Sequence, residues 1–494
     1  VTLRRTLFLF LGVFTLYWIT LAPTFLWSDS AKLGIFAYQK QFIAAGFGAH
    51  PGHSLLGYLF SFLPLPFAYT QNLMSAFFGA FAIALLFLIM RMRSPDDIAM
   101  ISCLALAVSH LFWHYSVINE TYSLLIFFLA LFLLLVLKAD ENPRWLYGAS
   151  LTLGFAFANH GAILLALPGC ILLLWGRGIL KYFANFRVFP LILLFVTGSC
   201  QVLVLPLFFS HGAQGSVMKD LFRNFEIFWQ GLSKLPREAM RYPLYLLYEF
   251  PTISGFLGVY GCFLLWKRNR RYAVATLLLW LVFVLFSLQY FFQRQFAFLI
   301  PSFFVFALWI PEGLEVEITW CEKFVSRKTA LTAAFVFLCV LPGCLYYSAY
   351  RIAEAKQWRL SAVRELPYRD NLRYFLFPAK HFERGAESYA NDSFRQAAKD
   401  AVILSDFNPG MALRYSQQVL GKRADLDVVI LDSWLFSAGD PTEKILRFLR
   451  VETGQNKTIY LADSWEPYYK VSAIRKEFDL RRQGGPLWQV FSKR

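Results

Sequence analysis

LAPTFLWSDSAKLGIFAYQKQFIAAGFGAHPGHSLLGYLFSFLPLPFAYTQNLMSAFFG, residues 21–79, decides how the rest of the chain reads. It opens at the end of a first hydrophobic run and closes inside a second. Between them it places Asp29, Lys32, His50 and His53 where a membrane span meets water. Ionisable groups at that depth are costly and therefore point to function. Each remaining segment can be tested by asking whether it shares a membrane face with Asp29.

The chain has 494 residues, 57% hydrophobic, 18% aromatic and only 16% charged, and its mean hydropathy is +0.47. That composition excludes an ordinary soluble enzyme. Half of the 48 Lys and Arg and more than half of the 32 Asp and Glu follow Tyr350. Two regions are expected: a polytopic membrane region, residues 1–350, and an extracytoplasmic α/β domain, residues 351–494. The net charge of +16 does not imply nucleic acid, because the basic residues form short clusters beside apolar runs. The seven cysteines have no CxxC spacing and all precede the tail, so neither a disulfide framework nor a zinc site is indicated. Arg4 and Arg5 precede an apolar run too long for a signal peptide, which reads as an uncleaved first span.

About eleven windows are apolar and long enough to cross the hydrocarbon core: 6–26, 70–90, 98–115, 118–137, 145–159, 160–176, 188–209, 244–266, 272–292, 295–311 and 330–350. Residues 53–67 are apolar but short and end in Pro64-Leu65-Pro66, which suggests an interfacial or re-entrant helix. With Arg4 and Arg5 in the cytoplasm, alternation puts Arg91, Arg93, Lys138, Arg177, Lys181, Lys267–Arg271 and Lys323–Lys328 on the same side. It puts Asp29, His50, His53, His114, Glu120, Asn159, His160, Gln293 and Arg294 on the outer side, together with the tail. Residues 210–243 resist this scheme, since they carry Lys219, Arg223, Lys234, Arg237 and Arg241; VMKDLFRNFEIFWQGL there suggests an amphipathic helix on the membrane surface. In the tail, DAVILSDF, LDVVILD and KTIYLADS alternate with helical stretches, a βαβαβ pattern with a parallel sheet. The glycine fingerprint of dinucleotide binding and the P-loop are missing from it.

Asp29 can serve as a general base toward an acceptor hydroxyl, or simply cap a helix end. The ordered blocks LAPTFLWSDS, AHPGHSLLGYLFSFLP, QNLMSAFFGAFAIALLF, SHLFWHYSVINETYSLLIFFLALFLLL and LGFAFANHGAILLALPG resemble one family over residues 15–175. It is a former domain-of-unknown-function family that includes the plexin-domain protein O-mannosyltransferase, within the GT-C class of membrane glycosyltransferases. The VILSDF to VVILDSW part of the tail is similar to its soluble region. The resemblance implies a GT-C-like polytopic α-helical membrane protein with a C-terminal soluble α/β domain. It implies transfer of a hexose, mannose by analogy, from a polyprenyl-phosphate donor to an extracytoplasmic protein or glycan acceptor, at the outer face of a bacterial inner membrane or the lumenal face of the ER. Asp29 then becomes the first-loop catalytic carboxylate and Glu120, in NETYSL, a second outer-face acid.

The sequence departs from that family where a DSGE-like run is expected, because it reads Asp29-Ser30-Ala31-Lys32. Either Glu120 takes the work of the missing acid, or Lys32 holds the donor phosphate, or activity is altered or lost. Departure of a lipid phosphate leaves negative charge that cations must stabilise. Arg294 in QRQFAF and Lys32 are the candidates, with snorkelling at the interface as the plainer role for Arg294. His50 and His53 flank a Pro51-Gly52 turn and either bind sugar or phosphate or hold the loop. Asn159 and His160 suit sugar hydroxyls or, equally, a hydrogen-bonded helix break. Glu249 is a lower-ranked buried acid. Asp29, His50, His53 and Glu120 have ligand chemistry but no diagnostic metal spacing, so no metal and no cofactor besides the lipid-linked donor is expected. Asp406, Asp432 and Asp463 end the expected strands, where open parallel sheets bind ligands, or else cap the helices that follow. The competing readings are a binding or assembly protein that has lost catalysis, for which Lys32 argues, and a transporter or flippase, which the lack of repeats disfavours.

Overall fold

A computed structural model describes residues 2–43, 50–175, 188–209, 229, 231–289, 296–360, 363–435 and 439–493. The apolar runs form helices because each backbone group must be satisfied within its own segment in a medium without water. The first eight are α1 (Thr2–Ile19), α2 (Asp29–Tyr38), α3 (Pro51–Phe60), α4 (Phe67–Met90), α5 (Asp96–Ala107), α6 (His110–Ser116), α7 (Tyr122–Lys138) and α8 (Trp145–Asn159). α4 is the pillar: most of it is buried, and it packs against α1, α3, α5, α6 and α7. α1 is largely uncovered at the edge of the bundle and offers Leu3, Leu7, Phe8 and Leu11 outward.

The expectation of about eleven straight spans is not reproduced. Among the described residues four helices are long and apolar enough to cross a membrane, or six if two bent pairs each make one span. The expected span at 98–115 is α5 and α6, bent by 71°, and that beginning at 295 is bent by 45° between Ala307 and Ile310. The expected span at 244–266 is also broken, into helices Leu235–Glu249 and Ser254–Arg268. Pro251 lies in that break, where it cannot continue a helical ladder. Window hydropathy averages over such breaks and does not register them. The short segment after His53 is the ten-residue α3.

The basic clusters expected on one side do converge. Asp96 accepts from Arg5 (2.6 Å) and Arg91 (3.1 Å), Asp97 from Arg327 (2.9 Å), and Glu312 pairs with Arg268 (2.9 Å) and Arg93 (3.7 Å). Exposed pairs of this kind contribute little stability individually. They mark one end of the bundle. Asn72, near the start of α4, lies about 27 Å from Met90 at 1.5 Å per residue, close to the thickness of a hydrocarbon core. Arg177 and Lys181 lie outside the described residues, as do Lys219 and Arg223 of the proposed surface helix.

The tail folds as an α/β unit with strand order β2-β1-β3-β5-β4. Its strands are β1 (Val402–Ser405), β2 (Asp427–Ile430), β3 (Ile459–Leu461), β4 (Phe478–Arg482) and β5 (Trp488–Ser492). β1 pairs in parallel with both β2 and β3, as the βαβαβ pattern requires, while β4 and β5 add an antiparallel hairpin beyond it. One hydrophobic core of this unit is shared with the first loop. Phe25, Trp27, Ala31 and Ile35 pack with Tyr389, Ile403, Leu404 and Tyr415. Phe25 stacks on Tyr415 with centroids 4.3 Å apart, and Trp27 lies 5.4 Å from Tyr389. The Lys380 N–H donates to the Thr20 carbonyl (2.8 Å), tying the tail to the end of α1.

Candidate active site

The chain leaves α1 at Ile19, turns at Ser28 and enters α2 at Asp29. Ser28 has φ 60 and ψ −129, a backbone state that L-residues rarely adopt and that is held only where surroundings over-determine it. The surroundings do so. Trp27 on one side is fixed in the core of the tail, and Ser30 on the other gives its carbonyl to the Asn119 Nδ2–H (2.9 Å). Asp29 therefore projects from a rigid corner, in the first turn of a helix whose N-terminal amides favour negative charge.

Lys32 stands one turn along α2 and its positive charge acts on Asp29. Its ammonium lies 5.3 Å from the centre of the Phe36 ring and 5.6 Å from that of Phe407, the residue that opens the first helix after β1. Burial lowers the Lys32 amine below its usual range, and Asp29 opposes that shift. Glu120 sits in the turn between α6 and α7 and comes within electrostatic reach of Asp29. Burial and then Asp29 raise its carboxyl well above the ordinary range, and burial raises that of Asp29, with Lys32 opposing. Two close carboxyls in a poorly solvated place cannot both ionise freely. Glu120, from a different loop, is thus the second acid within reach of Asp29.

α3 brings the histidines. Pro51 occupies its first turn, and Gly52 makes the approach to α8 possible, since a Cβ there would stand 3.0 Å from the backbone of Ala158 and Asn159. His50 then reaches the Asn159 carbonyl at 2.6 Å; a carbonyl only accepts, so Nδ1 carries the proton and Nε2 is left as an acceptor. Burial lowers the imidazole to about 4, so His50 is neutral and offers hydrogen bonds rather than charge. Its ring stacks on His160 (5.1 Å), whose Nδ1 accepts from the Ala162 N–H (3.1 Å). Asn159 donates to the Thr121 carbonyl (3.3 Å), linking this histidine pair to the Glu120 turn, and its Oδ1 has no hydrogen-bond partner among the described residues. His53 is fully buried against the Glu120 backbone.

Asp29, Lys32, Glu120, His50, His53, Asn159 and His160 thus gather at one end of the bundle, opposite the arginine clusters. Arg294 and Gln293 lie outside the described residues. Glu249 does not join the site. It is buried inside the bundle, where it accepts from Ser109 Oγ (2.6 Å), Leu111 N–H (2.9 Å) and Phe112 N–H (3.3 Å), capping α6 at the bend. Asp406, Asp432 and Asp463 do stand at the carboxyl ends of β1, β2 and β3. Asp406 caps the helix that follows it, and Arg364 bridges it (2.8 and 2.9 Å) to Asp463. That crevice is filled by the protein's own guanidinium. Among the described residues, no three His, Cys, Asp or Glu side chains form a group that could hold a metal ion.

The sequence does not single out Tyr115, Tyr374 or Asn72, and marks Asn119 only as the start of a sequon. Tyr115 is within electrostatic reach of both acids, and Tyr374, from the segment joining the last span to the tail, is within reach of Glu120. Nothing local to NLRYFL signals that contact. Asn119 opens an Asn-Glu-Thr sequon, yet it is buried with its amide engaged, so glycosylation there is excluded in the folded protein.

Residues 44–180 match the model described as the protein O-mannosyl-transferase TMEM260 N-terminal domain. Among solved structures, ArnT from Cupriavidus metallidurans bound to undecaprenyl phosphate is 13% identical with a TM-score of 0.58, covering 98% of this chain and 97% of that one. Apo ArnT from the same organism is 14% identical with a TM-score of 0.53 and the same coverage. An oligosaccharyltransferase from Archaeoglobus fulgidus, tethered with an acceptor peptide, is 13% identical with a TM-score of 0.48, covering 98% and 74%. No curated protein matches the chain. The fold is that of the GT-C membrane glycosyltransferases.

Proposed function

We propose that the chain is a membrane glycosyltransferase that moves a hexose, mannose in the first instance, from a polyprenyl phosphate to a hydroxyl of an extracytoplasmic protein or glycan. The observation that carries this reading is the meeting of Asp29, Glu120 and Lys32 at the end of the bundle remote from the arginine clusters. The O-mannosyl-transferase model over residues 44–180 and the undecaprenyl phosphate named with ArnT support it. Asp29 takes the proton of the acceptor hydroxyl. The acceptor oxygen attacks the anomeric carbon as its bond to the phosphate oxygen breaks, and polyprenyl phosphate leaves with that electron pair. One displacement inverts the anomeric centre. The donor is already activated by its phosphate, so no separate cofactor is called for.

Lys32 holds the donor phosphate in this scheme, while neutral His50, with Asn159 and His160, meets sugar hydroxyls. His53 supports the Glu120 turn, and Arg294 remains a second candidate for the phosphate. Residues 1–350 form the transferase body and 351–494 the outer domain, in a bacterial inner membrane or, in a eukaryote, the ER. The test is purified protein with polyprenyl-phosphate mannose and a panel of peptide, glycan and lipid acceptors. Mannosylated product together with free polyprenyl phosphate is the expected result. Donor binding without turnover on any acceptor favours the assembly-protein reading.

Lys32→Met is expected to raise the donor KM by about tenfold or more, the scale of a lost charge-assisted contact. The pH dependence sharpens the prediction. Asp29 must be deprotonated, so activity rises as pH passes its raised pKa; Lys32 must be protonated, so activity falls as pH passes its lowered one. The bell is therefore narrower than that of an ordinary carboxylate and lysine, which spans roughly pH 4 to 10. Lys32→Met removes its alkaline limb.

A further inference from the structure

We infer that Asn72 and Asn119 are positioning residues that lock the segment carrying Asp29 against the turn carrying Glu120, and so set the separation of the two acids. This rests on the proposed reaction for its consequences, but the geometry is independent of it. Asn72, on α4, is fully buried, and its Nδ2 donates to the carbonyls of Ala22 (2.9 Å) and Thr24 (3.0 Å). Its Oδ1 accepts from the Asn119 backbone N–H (2.8 Å). Asn119 is 2% exposed, and its Nδ2 donates to the Ser30 carbonyl (2.9 Å). Every partner of the two Nδ2 groups is a carbonyl, which only accepts, so neither amide can be turned over.

The result is a relay with three joints. α4 grips the exit of the first span through Ala22 and Thr24, then grips the second loop at Asn119, and the second loop grips α2 one residue beyond Asp29. Val117, two residues before Asn119, accepts from the Ala22 N–H (3.0 Å) and closes the ring from the other side. Both acids are one residue from a joint: Asp29 precedes Ser30, and Glu120 follows Asn119. Among the described residues Asn119 Oδ1 has no hydrogen-bond partner despite its burial. Buried polar groups are ordinarily satisfied, and the exceptions mark places where a function is served.

Aspartate, the isosteric residue, does not reproduce the relay. Asp at 72 keeps the acceptor for Asn119 N–H but loses both donors. Asp at 119 keeps the shape and the backbone bond but cannot donate to Ser30, and places a third carboxyl beside the pair.

The test uses the full-length protein in nanodiscs, with Asn119→Ala and Asn72→Asp, and Asn119→Asp as the isosteric variant should Asn119→Ala not fold. Two readouts are followed: steady-state transfer from polyprenyl-phosphate mannose, and carbodiimide labelling of Asp29 and Glu120 at stepped pH, read by mass spectrometry. The expected result is a kcat lower by about 10²-fold, the scale of misplacing a reacting group by about 1 Å, with donor KM changed less than about threefold. In Asn119→Ala the labelling midpoint of Glu120, which Asp29 helps to raise, moves toward that of an ordinary carboxylate as the acids come apart; in Asn119→Asp the added carboxyl opposes that shift, and the fall in kcat is the readout. Folded variants with parental kcat and a parental labelling midpoint would overturn the inference. If the parent transfers no sugar but the labelling midpoint shifts in the variants, the relay stands and the proposed reaction falls.

Discussion

Asp29→Asn is expected to lower the transfer rate by about 10³-fold, within the range that a positioned general base supplies, while leaving donor binding within a few-fold of the parent. That factor corresponds to about 4 kcal/mol of transition-state stabilisation. Asparagine matches aspartate in shape, so the strained Ser28 corner and the Asn119 to Ser30 bond survive and the loss is specific to the missing base. The expected signature is a fall in kcat with little change in donor KM. Burial makes the substitution tolerable for folding, because it removes a carboxyl whose charged form is disfavoured where it stands. Parental turnover by Asp29→Asn assigns the base elsewhere, with Glu120 the next residue to test.

The second large effect concerns a residue with no side chain. A Cβ on Gly34 would lie 2.8 Å from the Tyr415 ring, because α2 packs directly on helix Phe407–Gln418 of the tail. Gly34→Leu is therefore expected to push α2 away from that helix. Overpacking at a closed contact costs about 1–3 kcal/mol of stability. The larger effect falls on catalysis, since α2 carries both Asp29 and Lys32, and an ångström of misplacement costs about 10²-fold. Tyr415→Ala alone opens a cavity at the same place and also destabilises. Combined with Gly34→Leu it fills that cavity, so the double variant should recover much of the thermal midpoint and the rate, a coupling expected only of residues in contact. Simple addition of the two losses would show that the tail does not position α2.

That contact illustrates what a linear reading reaches. Asp29 stood out because an acid follows some twenty apolar residues, and Glu120 because counting spans put it on the same face. Both inferences need only local composition and alternation. Phe25, Trp27 and Ile35 give no comparable signal, for they look like the end of a membrane segment and prove to be core residues of a domain that begins more than 300 positions later. The bends after Ala107 and Glu249 are similarly hidden, since a buried carboxylate, Glu249, satisfies the backbone amides that open α6. The three strand-end aspartates stand where the sequence puts them, and the role of two, Asp406 and Asp463, is set by Arg364, which no spacing rule connects to them. The parallel core of the sheet was legible from apolar runs. The β4–β5 hairpin was not, because FDLRR and WQVFS alternate too weakly to read as strands.

Lys32 is the point at which resemblance and geometry converge. As a departure from a motif it left three readings open: Glu120 doing the work of the missing acid, Lys32 holding the donor phosphate, or activity altered or lost. Beside Asp29 it offers a cation one helical turn from the candidate base, close enough to keep that carboxyl from rising further and suited to a phosphate leaving group.

The most direct test is a cryo-EM map of the protein with a bound polyprenyl-phosphate hexose. The account predicts the phosphate within about 4 Å of the Lys32 ammonium, ion-pair distance, with the anomeric carbon turned toward Asp29. A phosphate seated instead at the opposite end of the bundle, among Arg5, Arg91 and Arg327, would contradict it.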